Sequence, residues 1–461
     1  MRTPHQTLDY KFWQKLIQIG VPVSLQSMLF SLLGVVDIFM VSQLGEAATA
    51  AVGVGNRIFF FNLVMIFGIS GAVSILASQY FGANNMDGVK VTLAQTWLAA
   101  LLVTIPFIVG YALSPEAIIS FISDDPAYIV MAKDYLVVTG ISLVFTVLVV
   151  PLECALRAVG VAKLPTYVSI LAIIINVILN ALLIFGLFGF PELGVLGAAI
   201  GSLLSRLAQT VLLFYLAHQR FKQLWPEKTH WLQTFTTSHR RRFLKVATPM
   251  FIHDTTWAFG LIIYNVIIGQ LGVSELAIVS LLTPIEGVLI SAFMGFAVAA
   301  SIILGNEIGA QNYQRVSNTA WWYVIISVVL ALMLAVLFLL AKPLLFTLLE
   351  KSPIHDVQTA VNICLIMAFG MVLKVFNMVG IGGVLKSGGD INYSIFIDLF
   401  GQWGFGIPLA YVTGIILGWP LEYVMLIILV EEIVKLILTT YRIRSKKWIN
   451  NLVNDEEPLC A

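Results

Sequence analysis

The sequence contains few charged residues and few cysteines, and both shortages exclude classes of protein. Only 11% of the 461 residues are charged, whereas 59% are hydrophobic; a soluble domain carries about twice that share of charge. A soluble protein of this size needs more polar surface to stay dispersed, so lipid is the expected solvent of the outer face. The net charge of +1 gives no indication of nucleic-acid binding.

The three cysteines, Cys154, Cys364 and Cys460, are widely spaced, with no CxxC pair or neighbouring histidine cluster. We interpret the first two as small apolar residues in helices and the third as a tail residue, so the cysteines give no indication of a disulfide framework or a zinc site. The polar residues 1–15 precede an apolar stretch that is too long for a cleavable signal. The first helix is therefore expected to stay in the protein.

No nucleotide-binding motif, nucleophilic triad or metal-ligand cluster is recognisable in the sequence. Residues 380–387 come close to a Walker A motif, but Leu385 occupies the position of the second glycine. We therefore expect a protein that is not an enzyme and needs no cofactor. Since ATP is excluded as a direct energy source for this chain alone, an ion gradient remains.

Hydropathy predicts twelve membrane-spanning helices, because a bilayer core requires roughly 20 apolar residues in a helix. The predicted spans lie near 14–42, 50–80, 92–113, 128–153, 165–188, 194–217, 244–271, 276–305, 318–341, 357–384, 393–417 and 420–441. Several contain proline, which membrane helices tolerate.

The charges of the predicted loops alternate along the chain. Basic residues follow spans 2, 4 and 8 and occur in the linker 218–245 and the C-terminal tail, whereas the intervening loops are mainly acidic. The acidic loop residues are Glu46, Glu116, Asp124, Asp125, Glu192, Glu275 and Glu422, and the basic exceptions there are Lys342 and Lys351. The positive-inside rule then predicts that both termini and the linker are cytoplasmic.

The sequence repeats itself with a nearly constant offset. Pro22 and Pro249 lie 227 positions apart, and the same offset relates Gln-Leu-Gly at 43–45 to Gln-Leu-Gly at 270–272, and Gly82 to Gly309. Six spans per half give both halves the same orientation, as in transporters whose lobes rock against each other around a central cavity. We predict a six-helix lobe at 1–217, a cytoplasmic basic linker at 218–243, and a second six-helix lobe with a short tail at 244–461. Two fused bundles without a transport role are the alternative.

Asp37 stands within an apolar run of the first span, with no charge on either side. Insertion of such a group at the bilayer centre costs roughly 2.5–3.5 kcal/mol, so it is a functional candidate by default. Because a desolvated carboxylate favours its protonated form, a cavity that alternates between wet and dry can load and unload a proton here. A purely structural buried acid is the alternative.

Further polar residues are predicted around this site and in the second half. Asn176 and Asn180 are four residues apart, so they share one face of span 5; with Ser202 they are the predicted polar partners in the cavity, or they connect helices as hydrogen-bonding residues. In the second half, Asp254, Lys374 and Asn377 form a possible site. A buried Lys–Asp pair there is either a neutral structural clamp or a second coupling site.

Five short motifs, in order along nearly the whole chain, resemble the MATE family of multidrug and toxic compound extrusion transporters. They are VDIFMVSQLG at 36–45, QYFGA at 79–83, LRAVG at 156–160, GVLGAA at 194–199 and NEIGA at 306–310. The resemblance implies an all-α membrane protein of twelve helices in two pseudo-symmetric lobes. It also implies antiport of cationic organic compounds against H⁺ or Na⁺.

The resemblance also implies roles for individual residues of this sequence. The family aspartate that matches Asp37 is a proton or cation site, and a span 5 pair in the DinF-type branch matches Asn176 and Asn180. The NorM-type sodium site uses acids in spans 7 and 10, where this sequence has Trp257 and a position near Val375. The pattern is thus closer to the DinF type, although Asp254 keeps a role of the second lobe open.

We accordingly expect a monomeric exporter in the bacterial inner membrane that acts on cationic or amphipathic drugs and is coupled to protons. Coupling to sodium is one alternative. A flippase for lipid-linked saccharides, from the same superfamily, is another, against which the shortage of arginine within the spans argues. A channel is the alternative from a different class.

Overall fold

A computed structural model describes residues 9–120, 126–350 and 356–454. The sequence features at Asp124, Asp125, Lys351 and Cys460 lie outside the described residues. The described chain is almost entirely helical and contains no strand, as the composition predicts. Its twelve long helices are α1 (Tyr10–Ser42), α2 (Glu46–Gly82), α3 (Met86–Leu113), α4 (Pro126–Ala158), α5 (Lys163–Phe185), α6 (Gly194–Arg220), α7 (Thr237–Leu271), α8 (Val273–Gly309), α9 (Tyr313–Leu340), α10 (Val357–Leu385), α11 (Ile391–Ile416) and α12 (Leu421–Ser445).

Short helices accompany the long ones at Pro115–Ser120, Leu187–Gly189, Lys222–Leu224, Lys228–Gln233 and Lys342–Glu350. Within the described residues, eleven helices are long and apolar enough to cross a membrane. The remaining long helix, α12, has 25 residues, enough for a span of about 20, and it carries Glu431, Glu432 and Lys435 in its interior. Large apolar side chains on the outer faces of many helices are exposed, as lipid requires. The predicted polytopic all-α fold is confirmed.

Two helices are composite. In α10 the α-helix Val357–Asn377 continues as a π-helical segment, Met378–Leu385. In α11 the π-helical segments Phe400–Gly406 and Val412–Ile416 alternate with α-helix. Such wider turns are rare and are frequent at functional sites.

The chain forms two compact units. The N unit is Met28–Phe251, and the C unit combines the residues up to Ser27 with those from Ile252 onward. The chain passes from one unit to the other inside α1 and α7, shortly after Pro22 and Pro249. The division into two lobes joined by the linker 218–243 stays a prediction.

The helix pairing inside the two units follows one pattern. In the N unit, α2 packs on α3 and α4, and α6 packs on α4 and α5. In the C unit, α8 packs on α9 and α10, and α12 packs on α10 and α11. Adding six to the helix numbers of each pair in the N unit gives the corresponding pair in the C unit. The pseudo-symmetry predicted from the repeated motifs is therefore present in the packing.

Equivalent residues also have equivalent environments. Val41 and Val52 are buried in the core of the N unit, and Ile268 and Val279, which are 227 positions later, are buried in the core of the C unit. The turns after α2 and α8 both place a residue in the left-handed region, Asn84 at φ 56° and Gln311 at φ 61°. Such residues end helices, because they turn the chain away from the helix axis.

Candidate functional site

Asp37 lies near the end of α1, in the N unit, with its side chain partly buried. Its carboxylate Oδ1 accepts a hydrogen bond from Asn180 Nδ2 on α5 at 2.9 Å. In the described part of the chain, no lysine or arginine forms an ion pair with this carboxylate. The intramembrane acid is thus bound by a neutral amide.

A chain of hydrogen bonds continues from this contact along the interface of α5 and α6. Asn180 Nδ2 also donates to Asn176 Oδ1 at 3.2 Å, one helical turn away. Asn176 Nδ2 in turn lies 3.2 Å from Ser202 Oγ and 3.3 Å from Ser205 Oγ. Both asparagines are buried. The structure therefore connects the residues that the sequence analysis singled out in the first half, Asp37, Asn176, Asn180 and Ser202, and it adds Ser205.

One atom of the Asn180 amide forms no hydrogen bond. Asn180 Oδ1 is buried and has no hydrogen-bond partner. It lies opposite Gly201 of α6, where an added Cβ would come within 2.2 Å of this oxygen. Since Asn180 Nδ2 is a donor, it can donate to an ionised Asp37 and equally to the carbonyl oxygen of a protonated one. The site can accommodate both states of the carboxyl group.

A second polar group in the N unit surrounds Glu153 on α4. Arg157 donates to Glu153 at 2.9 Å, the i, i+4 pair that the spacing predicts, and Ser169 and Gln209 donate to the same acid at 2.9 and 3.3 Å. Arg206, in the interior of α6, donates to Gln209 Oε1 at 2.8 Å. The sequence analysis did not single out Arg206, although a lone charge in an apolar helix would have identified it.

In the C unit, the predicted residues have partners other than each other. Lys374 of α10 donates to Glu286 of α8 at 2.5 Å, so its ion pair is with a glutamate and not with the aspartate considered in the sequence analysis. Asn377 donates to Glu432 of α12 at 2.8 Å. Asp254 contacts its neighbour His253. The three residues of the predicted C-lobe site are therefore distributed over separate contacts.

A cluster of ionisable side chains connects α7, α11 and α12. His253 contacts Asp254 and Asp398, and Lys435 contacts Asp398 and Glu431. Tyr264, at the repeat position equivalent to Asp37, donates to Glu431. Sequence reasoning could not place His253 and Asp398 in contact, because 145 positions separate them.

In the described chain, twelve long helices have apolar outer faces and enclose ionisable residues, an arrangement expected of a membrane transporter. The MatE family profile matches residues 22–182 and again 249–412, once in each half of the repeat. The chain therefore belongs to the MatE family, whose members are multi-pass membrane transporters and not enzymes.

Individual proteins are similar to the chain along most of its length. The chain is 26% identical to the uncharacterized transporter YisQ of Bacillus subtilis, with 94% of each chain covered. It is 22% identical to the probable multidrug resistance protein NorM of Haemophilus ducreyi, with 86% of each chain covered. Among solved structures, MATE in complex with MaL6 superposes with a TM-score of 0.85 at 18% identity, covering 94% of this chain and 97% of that one. The eukaryotic MATE transporter AtDTX14 gives 0.82 at 19% identity, with 95% and 97% covered.

Proposed function

We propose that this protein is a secondary multidrug efflux transporter that exchanges cationic or amphipathic organic compounds for protons, with Asp37 as the protonation site. Relatives named as probable multidrug resistance proteins support the substrate class. The bacterial origin of these relatives supports the plasma membrane as its location. The monomer is the proposed working unit, since the proposed proton site lies within one unit of one chain.

The observation that carries the proposal is that the Asp37 carboxylate is bound by an amide and not by a cation. A neighbouring cation favours the ionised form of a carboxylate, and Glu153 and Asp390 have such partners in Arg157 and Arg442. With a neutral partner, the protonation of Asp37 depends mainly on how much water reaches it. This dependence is what an exchanger requires of its coupling group.

Competition for one carboxylate then gives antiport. The ionised form attracts an organic cation, whereas the protonated form does not. Loss of water around the site favours the proton, and hydration favours its release. If the site opens alternately to the two sides of the membrane, proton entry and drug exit are coupled without any further component.

The test is uptake of a fluorescent organic cation into proteoliposomes under an imposed pH gradient or an imposed sodium gradient. We expect the pH gradient alone to drive transport in the native protein. Asp37→Asn keeps the size and the hydrogen-bonding ability of the side chain but cannot ionise. We expect it to lower pH-driven transport by about tenfold or more, while its melting temperature stays close to that of the native protein.

The matched control is Glu46→Gln, because Glu46 is an exposed acid just beyond α1. It should transport at the native rate. Normal pH-driven transport by Asp37→Asn would exclude Asp37 as the coupling group. Transport by a sodium gradient alone would replace the proton in the proposal.

Sodium remains the second candidate because of the unpartnered Asn180 Oδ1. Hard cations take oxygen ligands, and the amide that contacts the Asp37 carboxylate carries this free oxygen. Sodium coupling predicts that Asn180→Leu loses transport entirely. Proton coupling to Asp37 predicts partial transport in that variant, because the carboxylate remains.

A further inference from the structure

His253 in the C unit contacts two carboxylates. A neutral histidine and two ionised carboxylates carry one proton too few for both contacts to be hydrogen bonds. His253 lies on α7 and is 6% exposed. Its Nε2 lies 2.8 Å from Asp398 Oδ2 on α11, and its Nδ1 lies 2.6 Å from Asp254 Oδ1. Both ring nitrogens therefore face carboxylate oxygens at hydrogen-bond distance.

The contact with Asp398 determines that His253 Nε2 carries a proton. Its other oxygen, Oδ1, lies 3.4 Å from Lys435 Nζ, which also contacts Glu431 at 2.6 Å. An ionised carboxylate only accepts hydrogen bonds, and the adjacent lysine favours that form. The Nε2–H of His253 is therefore the donor to Asp398, and one N–H is all that a neutral imidazole has.

The remaining contact, between His253 Nδ1 and Asp254 Oδ1, consequently needs a proton of its own. Without it, two acceptors would face each other at 2.6 Å. Either the ring is an imidazolium or Asp254 is a carboxylic acid. The contact also joins adjacent residues of one helix, whose side chains project about 100° apart, so both must turn toward each other to form it.

We propose that His253 Nδ1 and Asp254 Oδ1 hold an exchangeable proton, which makes this pair a proton-binding site in the C unit, distinct from Asp37. The side chain of Asp254 is 23% exposed and that of His253 is 7% exposed. Asp254 is thus the more exposed end of the pair. Loss of the proton makes the contact repulsive, so proton binding holds this pair together at the point where α7 meets α11.

The surrounding charges are consistent with a proton as the ligand. Lys435 from α12 is engaged by Asp398 and Glu431, and Lys386, which follows α10, acts electrostatically on His253 and Asp398. Glu432 on α12 adds a negative charge near Lys435. Within the described residues, Asp254 has no lysine or arginine as an ion-pair partner. The proton shared with His253 supplies the missing positive charge.

The test is nitrogen-15 NMR of histidine-labelled protein in lipid nanodiscs, and it requires no transport activity. The signals of His253 are assigned by their loss in His253→Gln. Near neutral pH we expect both ring nitrogens of His253 to carry protons. If the ring is neutral, the proton must be on Asp254, and infrared spectra should contain a carboxylic-acid band that disappears in Asp254→Asn.

His230, in the N unit, is the matched internal control. It is also buried, and its Nε2 lies 3.1 Å from Asp87 Oδ1, but its Nδ1 accepts a hydrogen bond from the backbone N–H of Glu227 at 3.1 Å. Every contact of His230 is therefore satisfied by a neutral ring with the proton on Nε2. The same spectrum should show this tautomer for His230 and a different state for His253.

Asp254→Asn gives a second variant with a positive expectation. Its amide N–H can donate to an unprotonated Nδ1, so the variant needs no extra proton and His253 should lose one N–H signal. This shift also assigns His253 if His253→Gln does not fold. A neutral His253 in the native protein, together with no carboxylic-acid band that depends on Asp254, would overturn the proposal and leave the one for Asp37 unaffected.

Discussion

At the scale of single residues, Asp37 differs from the acids with a structural role in the charge of the side chain that binds it. Glu153, Glu286 and Asp390 each accept from a basic side chain at 2.5–2.9 Å. Breaking such a buried pair leaves an uncompensated charge and is strongly destabilising. Asp37 has an amide as its partner, so its charge can change without leaving a buried cation unpaired.

The environment of Asn180 leads to a prediction about Gly201. A Cβ at this position would come within 2.2 Å of Asn180 Oδ1, so Gly201→Ala should displace the amide from Asp37. We expect a loss of stability of about 1–3 kcal/mol, typical of overpacking, and weaker pH-driven transport. Thermal unfolding in detergent and the proteoliposome assay measure the two effects.

The control is Gly53→Ala on α2, where nothing lies within 4 Å of the added Cβ. Alanine is the better helix former by about 1 kcal/mol, so this variant should be as stable as the native protein or slightly more stable. Equal stability and transport of the two variants would show that Gly201 is not required for the position of Asn180.

The N-lobe site could be predicted from the sequence to an unusual extent. A lone acid in an apolar helix and two amides four residues apart are local patterns, and the structure places all three in contact. In the C unit, by contrast, the pairing of ionisable residues could not be predicted. Lys374 contacts Glu286, which is 88 positions away in the sequence, and His253 contacts Asp398, which is 145 positions away. No local sequence pattern encodes contacts over such separations.

At the scale of the helices, the predicted spans agree with the observed ones in number and order, but several are shorter than the observed helices at one or both ends. The fourth span was expected at 128–153 and extends over Pro126–Ala158; the last was expected at 420–441 and extends over Leu421–Ser445. Hydropathy detects the apolar part of a helix, whereas backbone hydrogen bonding continues through polar ends such as Arg157. The π-helical segments of α10 and α11 have no hydropathy signal and could not be predicted.

The first part of α1 is held in the C unit by a close helix crossing. A Cβ on Gly295 of α8 would lie 2.0 Å from the carbonyl oxygen of Gly20 and 2.4 Å from Ser24 Oγ. Small residues allow such backbone approach between membrane helices. We therefore expect Gly295→Ala to separate α1 from α8 and to destabilise the protein by about 1–3 kcal/mol, as measured by thermal unfolding.

Gly287 of the same helix provides the control, because nothing lies within 4 Å of a Cβ added there. Gly287→Ala should unfold at the native temperature or slightly above it. If both alanine variants had the same melting temperature, the crossing would not limit stability.

At the scale of the whole molecule, one scaffold is used twice with different chemistry. The helix pairing is the same in both units, yet Asp37 of the first half is replaced by Tyr264 in the second, where the hydroxyl donates to Glu431. The proposed proton site of the N unit is an acid beside a neutral amide, whereas that of the C unit joins an acid to a histidine. The two proposed proton sites therefore differ in kind as well as in position.

The contacts of the linker bear on the orientation of the chain. In the N unit, the linker lies on the α2–α3 end: His230 contacts Asp87, Gln95 donates to the carbonyl oxygen of Thr234 at 3.1 Å, and the Trp97 and Trp231 rings stack at 6.2 Å. The segments that the positive-inside rule assigns to the cytoplasm thus meet at one end of this unit. The orientation itself remains to be tested.

Cysteine labelling tests it on a background in which Cys460 is replaced by serine. Cys154 and Cys364 are buried, so neither should react rapidly with a membrane-impermeant maleimide. Ser238 in the linker region and Glu192 between α5 and α6 are both exposed, and the charge pattern places them on opposite sides of the membrane. In right-side-out vesicles we expect Glu192→Cys to react at once and Ser238→Cys to react only after permeabilisation. The reverse result would invert the topology, and with it the direction in which a pH gradient must be applied to drive export.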